Sequence, residues 1–439
     1  MNIILLSGGS GKRLWPLSNE VRSKQFIKIF KTAAGEYESM VQRVYGQIKK
    51  TDADAKIVIA TSKTQVSAIH NQLGLDVRVS VEPCRRDTFP AIALASAYLH
   101  DEGGVPEDEV VVVCPVDPYV EQDYFDALKK LEAQAARDEA NLVLMGIEPT
   151  YPSEKYGYIV PGDRGEISEV KCFQEKPDEK TAKAYIEQGA LWNGGVFACR
   201  LGYVLKKAHE QIDFTDYRDL YQKYDTLERI SFDYAVVEKE SRIQVMHFGG
   251  QWKDLGTWNT FTEAMVEDSI GNVISNDTCE GVHIVNELDM PILCMGLKNA
   301  IVSASPEGIL VADKHQSSYI KPYVDKLNHQ IMFAEKSWGS FLVLDVTADS
   351  LTIKVTLNPG HSMNYHSHKY RDEIWNIIAG RGTVIIDGRR QPVQTGDVVT
   401  MPANCRHTII AETELKAIEV QLGKEISIQD KQKFALEEE

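Results

Sequence analysis

Asn2-Ile3-Ile4-Leu5-Leu6-Ser7-Gly8-Gly9-Ser10-Gly11-Lys12-Arg13 is a short apolar run that breaks into a glycine-rich turn. The run has the length of a buried strand. A strand feeding directly into such a turn points to an α/β domain whose first loop binds an anion. Gly8, Gly9 and Gly11 are expected to take positive φ and to let a bulky ligand approach the main chain. Successive N–H groups in that loop would form an anion nest. Arg13 adds forked donors and Lys24 a compact mobile charge, a combination suited to a triphosphate. Neither the P-loop order nor G-x-G-x-x-G is present. The competing reading is a plain glycine turn with solvated basic residues.

The longer string, Leu6 through Leu17 and on to Lys24-Gln25-Phe26, resembles the signature of the sugar-1-phosphate nucleotidyltransferases, and within them the mannose-1-phosphate guanylyltransferases. The resemblance implies a Rossmann-like mixed sheet. It places nucleotide binding on Leu6, Gly8, Gly9, Gly11 and Arg13, and stabilisation of the transferring phosphoryl group on Lys24. Lys12 stands where the family usually has Thr, and Ser23 where it usually has Pro.

At 439 residues the chain is expected to hold more than one domain: a nucleotidyltransferase domain over 1–270, a β-rich connecting region over 271–330 and a cupin domain over 331–439. Its formal net charge of -16 argues against a nucleic-acid partner. No apolar run is long enough for a membrane span, and the N-terminal run is too short for a signal peptide. Seven scattered cysteines with no C-x-x-C pair argue for reduced thiols and a cytoplasmic location.

Further along, apolar runs alternate with helical stretches, which predicts a mostly parallel sheet with ligands beyond the carboxyl ends of its strands. Glu82-Pro83-Cys84-Arg85-Arg86-Asp87-Thr88 occupies one such place. Glu82, Arg86 and Thr88 suit the base or ribose; the alternative is that Asp87 or Thr88 simply caps the helix that follows. The family has Asn in place of Asp87 and Ala in place of Phe89, which leaves the identity of the base open. Val110 to Cys114 reads as a central strand ending near Asp117, a position suited to Mg²⁺. A turn-forming role is the alternative. By resemblance Asp254, in Gly250-Gln251-Trp252-Lys253-Asp254-Leu255-Gly256, would be the second metal carboxylate. Gly157, Glu175, Lys176 and, because Leu191 to Phe197 resembles the family's sugar-binding turn, Asn193 form the expected sugar-binding set; for Glu175 and Lys176 the alternative is a surface ion pair. Ser231-Phe232-Asp233-Tyr234-Ala235 is also family-like.

Between Asn272 and Lys326 short strand-like runs recur between turns, which suggests a few β-helical turns. From Trp338 onward the pattern is that of a small β-barrel or jelly roll. Gly360-x5-His366-Ser367-His368-x4-Glu373-x6-Gly380 and Gly396-x5-Pro402-x-Asn404-x2-His407 closely resemble the two cupin motifs. His366 and His368 alternate on a strand and so share a face. With Glu373 and His407 they make a set suited to Zn, Mn or Fe; a metal-free cupin is the alternative. A fusion of this kind resembles bifunctional enzymes that also carry type II phosphomannose isomerase. His366 stands where their motif has Gln, Lys369-Tyr370-Arg371-Asp372 differs from their basic string, and Thr408 replaces an Arg.

The resulting expectation is an enzyme that makes GDP-mannose and pyrophosphate from GTP and mannose 1-phosphate with Mg²⁺, catalysed by Arg13, Lys24 and Asp117. The alternatives are another nucleoside triphosphate or sugar phosphate, a cupin that also isomerises mannose 6-phosphate, and a sugar-nucleotide sensor without turnover. Small-molecule substrates are the expected partners, with a homodimer held open.

Overall fold

The computed structural model describes residues 1–9, 12–32, 34–327, 330–427 and 430–436. Ser10 and Gly11 lie outside the described residues. The chain forms two compact units, one of Met1–Ser10, Ser23–Val66 and Asp76–Val266, the other of Gly11–Arg22, Ser67–Leu75 and Glu267–Glu439.

The first unit is built on a nine-stranded mixed sheet. In chain order its strands are β1 (Asn2–Ser7), β2 (Lys56–Ser62), β3 (Arg78–Glu82), β4 (Val110–Pro115), β5 (Leu142–Ile147), β6 (Gly157–Pro161), β7 (Ile167–Gln174), β8 (Leu191–Arg200) and β9 (Ile243–Phe248). They lie in the order β3-β2-β1-β4-β8-β5-β9-β7-β6. β1, β2, β3 and β4 run parallel, and β8 enters antiparallel to both β4 and β5. The apolar runs on β1 and β4 are buried almost throughout, because helices cover both faces of a parallel sheet. The helix Thr88–Asp101 is nearly all apolar and nearly all buried. Its alanines let it lie close against the sheet. Asp87 caps it, accepting from Thr88 N at 2.8 Å, so the cap is Asp87 and not Thr88. Asp87 holds φ 72, a conformation that Asn and Asp tolerate better than most residues. Among the described glycines of the first loop only Gly9, at φ +126, takes the left-handed region; Gly8 does not, contrary to expectation. Gly8 has no neighbour within 4 Å of a built Cβ, so neither backbone nor packing demands glycine there.

The second unit contains short parallel strands stacked in two small sheets. Ser269–Ile270, His283–Asn286 and Ala300–Ser305 run parallel in one, which Gly308–Asp313 closes antiparallel to Ala300–Ser305, and Val273–Ser275 pairs with Ile292–Cys294 in the other. This is the arrangement expected of β-helical turns. Residues 333–433 form two antiparallel sheets of six and five strands, closing on a core that includes Trp375, Ile377, Leu357 and Val384. Alternation along Ser350–Leu357 and Leu415–Leu422 places every second side chain in that core. All seven cysteines are unpaired, and no described helix is long and apolar enough to cross a membrane.

Candidate functional site

In the first unit the decisive geometry surrounds Lys24, which opens the short turn Lys24–Phe26. Its Nζ lies 2.8 Å from Asp117 Oδ2 and 3.2 Å from Asp254 Oδ1. Burial works against the ammonium, but the two carboxylates outweigh it and hold the Lys24 pKa above the ordinary value. Asp117 follows β4 after a single residue, Val116. Pro118–Val120 then pairs antiparallel with Trp252–Asp254, and Asp254 stands opposite Pro118. That register explains how two acids far apart in sequence reach one cation. Two convergent carboxylates are a hard-oxygen donor set, and they fit Mg²⁺.

The glycine loop is held from beneath by buried amides. Gln65 Nε2 donates to Gly9 O at 3.3 Å and to Ser23 Oγ at 2.8 Å. Thr61 Oγ1 donates to Ser7 O at 2.9 Å, and Gln25 Nε2 to Ser7 Oγ at 3.2 Å. The sequence reading missed Gln65 and Thr61, whose only local signal is polar residues following an apolar strand. Leu6 contributes its carbonyl to Val116 N at 3.1 Å. Arg13 belongs to the second unit, in the turn Lys12–Leu14, and is exposed.

Glu82, Arg86 and Thr88 are gathered by one partner segment. Tyr224 donates its hydroxyl to Glu82 Oε2 at 2.7 Å, Arg86 donates to Asp225 O, and Thr88 Oγ1 accepts from Phe232 N at 2.8 Å. Burial raises the Glu82 carboxyl pKa, opposed by the Tyr224 hydrogen bond.

The four residues of the expected sugar set also come together. Asn193 on β8 pairs with Gly157 on β6. A Cβ at Gly157 would collide with the Glu175 carboxylate and lie 3.0 Å from the tip of the Phe173 ring and 3.3 Å from Asn193 Cβ, so glycine leaves Glu175 its place here. Lys176 Nζ lies 2.5 Å from Glu175 Oε1. Asn193 Nδ2 donates to Asp233 Oδ1 at 2.6 Å, which adds a residue to the set. Burial, then the Glu175 charge, pushes the Asp233 carboxyl up to about 6. Tyr156 packs on Trp192 and Trp252, with centroids 4.7 and 5.5 Å apart, so this aromatic wall leads from the Asn193 strand to the Asp254 strand.

In the second unit His366, His368, Glu373 and His407 are all buried, with their candidate ligand atoms within 4.8 Å of one another. His366–His368 forms a strand whose His366 pairs with His407. The Nδ1 atoms face main-chain carbonyls: Asn364 O at 2.6 Å, Asp430 O at 3.0 Å and Cys405 O at 3.0 Å. A carbonyl only accepts, so each Nδ1 donates to it and each ring turns its Nε2 toward the cluster. Nε2 of His368 and of His407 then sits 3.0 Å from a Glu373 oxygen. Three imidazoles with one carboxylate converging this closely fit a divalent transition metal. Burial, with Lys431 and His407, pushes His366 down to about 3, which keeps that ring neutral. Burial would raise the Glu373 carboxyl, but the two histidines hold it well below the carboxylate range. Arg371 adds a contact that spacing did not reveal: its Nε lies 3.2 Å from Glu373 Oε1 and its Nη2 lies 3.1 Å from His368 Nε2.

Known proteins resemble this chain along nearly its whole length. Residues 353–421 match the cupin domain family. A xanthan biosynthesis protein, XanB, of Xanthomonas campestris is 28% identical over 468 aligned positions, covering 98% of this chain and 97% of that protein. A mannose-1-phosphate guanylyltransferase of Klebsiella pneumoniae is 28% identical, covering 97% of each. A solved structure from Thermus thermophilus, described as a mannose-1-phosphate geranyltransferase, is 27% identical with a TM-score of 0.60 and covers 74% of this chain and 98% of that one. Residues 2–269, well over half of the chain, match the nucleotidyl transferase family, and the protein belongs to that family.

Proposed function

We propose that the first unit transfers a nucleotidyl group from a nucleoside triphosphate to a sugar 1-phosphate, with GTP and mannose 1-phosphate as substrates and GDP-mannose and pyrophosphate as products. The observation that carries the reading is the meeting of Asp117, Asp254 and Lys24 at the end of the central strand. Relatives that match nearly the whole chain are named for this activity. A phosphate oxygen of the sugar 1-phosphate attacks the α-phosphorus, the α–β bridging bond breaks, and pyrophosphate leaves. The attacking oxygen is already anionic, so the site needs no strong base, and positioning and charge neutralisation supply the rate. Lys24 would offset charge developing on the α-phosphoryl oxygens. The Gly8–Gly9 main chain would cradle the outer phosphates. Asp117 and Asp254 would hold Mg²⁺, which when bound neutralises the phosphate charge. Pyrophosphate release over four nucleoside triphosphates and several sugar 1-phosphates tests the reading; no turnover of any pair in the presence of Mg²⁺ would reject it.

The cupin cluster favours a second activity in the same chain. Three histidines and Glu373 around one point would hold Zn²⁺ or a similar ion, and a metal-dependent isomerisation of mannose 6-phosphate to fructose 6-phosphate suits it. His368→Ala is then expected to abolish isomerisation. Absence of that activity in the intact protein would dismiss it.

A further inference from the structure

Asn193 is engaged with the protein at both ends of its carboxamide. Its oxygen accepts from Gly195 N at 3.1 Å, and its nitrogen donates to Asp233 Oδ1 at 2.6 Å. Asp233 in turn is pinned from its neighbours. Ser231 caps the short helix Phe232–Ala235, Phe232 N donates to Thr88 Oγ1 at 2.8 Å, and the Phe232 ring stacks on Phe197 at 4.2 Å. The Asp233 carboxylate therefore has a fixed place beside the Glu175 carboxylate, whose side chain is only 6% exposed. One lysine, Lys176, faces the two acids and pairs with Glu175. Two carboxylates against one cation leave an excess of acceptors, and retaining them is costly unless donors arrive from a ligand. A neutral polyhydroxyl group supplies donors without adding charge.

We propose that Asp233 accepts a hydroxyl of the acceptor sugar beside Glu175, and that Asn193 is a positioning residue that holds Asp233 in place. The assignment rests on the reading of the first unit as a sugar 1-phosphate nucleotidyltransferase. It narrows the acceptor to a hexose 1-phosphate whose neighbouring hydroxyls donate to two carboxylates.

The test uses the full-length protein, titration calorimetry and steady-state kinetics, with mannose 1-phosphate and its singly deoxygenated analogues as probes. Asp233→Asn is expected to raise Kd and KM for mannose 1-phosphate by about 10- to 100-fold, the loss of one hydrogen bond to a charged group. KM for GTP stays within about twofold, and the penalty disappears for the one analogue lacking the hydroxyl that Asp233 reads. Asn193→Ala gives the same pattern, and adding it to Asp233→Asn costs nothing further, because it acts through the same contact. Asp233→Ser serves as a second variant, and thermal melts check that each is folded. Equal losses on all analogues, a loss confined to GTP, or additive losses would overturn the assignment. So would wild-type behaviour of Asp233→Asn in an active enzyme, which leaves the transferase reading standing. If the wild-type protein neither binds nor turns over any sugar 1-phosphate, the transferase reading falls and takes this assignment with it.

Discussion

Asp254 stands in register with Pro118, the residue after Asp117, and this pairing delivers two distant carboxylates to one ammonium. A group placed by sheet register is hard to replace by side-chain adjustment. Asp117→Asn and Asp254→Asn are each expected to lower kcat by about 100- to 1,000-fold, the usual scale for losing one preorganised electrostatic group. Pyrophosphate release at saturating Mg²⁺ checks this, and a loss under about threefold in either variant would detach that residue from the chemistry.

Gly157→Ala separates function from folding. The new Cβ meets the far end of the Glu175 side chain, which swings away at little cost to the fold. KM for the sugar phosphate is expected to rise by about tenfold or more, the scale of one lost charged hydrogen bond. The unfolding midpoint is expected to stay nearly unchanged, and a denaturant titration run beside the kinetics decides it.

Asp233 carries a stability cost whose sign follows from its raised pKa. The folded state binds the proton more tightly than the unfolded chain does. The stabilisation from protonation is complete below the unfolded pKa and is lost as pH rises through about 6. At neutral pH the wild-type protein has lost it, whereas Asp233→Asn is indifferent to pH. That variant is therefore expected to be more stable at neutral pH by up to about 3 kcal/mol, with the gap closing as pH falls toward about 4. Urea midpoints at the two pH values measure the gap; a gap that widens on acidification contradicts the account.

The buried histidine set predicts about one equivalent of a divalent transition metal per chain by elemental analysis. Chelation is expected to lower stability by about 4 kcal/mol if metal had been present at a thousandfold over Kd. His407→Ala and His366→Ala lose the metal outright. Protein purified without chelators that contains only background metal, and melts identically with and without EDTA, would exclude the site.

Much of this is legible in the chain because the signals are local. The apolar run before Ser7, the strand before Asp117 and the alternation of His366 with His368 each express a period or an ending that side chains cannot hide. What escapes a sequence reading depends on contacts across long separations. Nothing near Gly9 announces that Gln65 holds its carbonyl, and nothing near Glu82 or Arg86 announces the segment Tyr224 to Phe232. Asn193 reads as a ligand in the sequence because the partner that occupies its nitrogen lies forty positions away. The choice between Asp87 and Thr88 as cap is open there because both residue types serve that role; Thr88 is committed instead to Phe232 N.

The three carbonyls that fix the cupin imidazoles come from the main chain at Asn364, Cys405 and Asp430. Every amino acid supplies the same carbonyl, so substituting those three residues leaves each Nδ1 its acceptor as long as the barrel closes. Directed evolution of this chain would therefore find the orientation of the donor atoms robust to mutation at those positions. It would have to move the strands themselves to retune them.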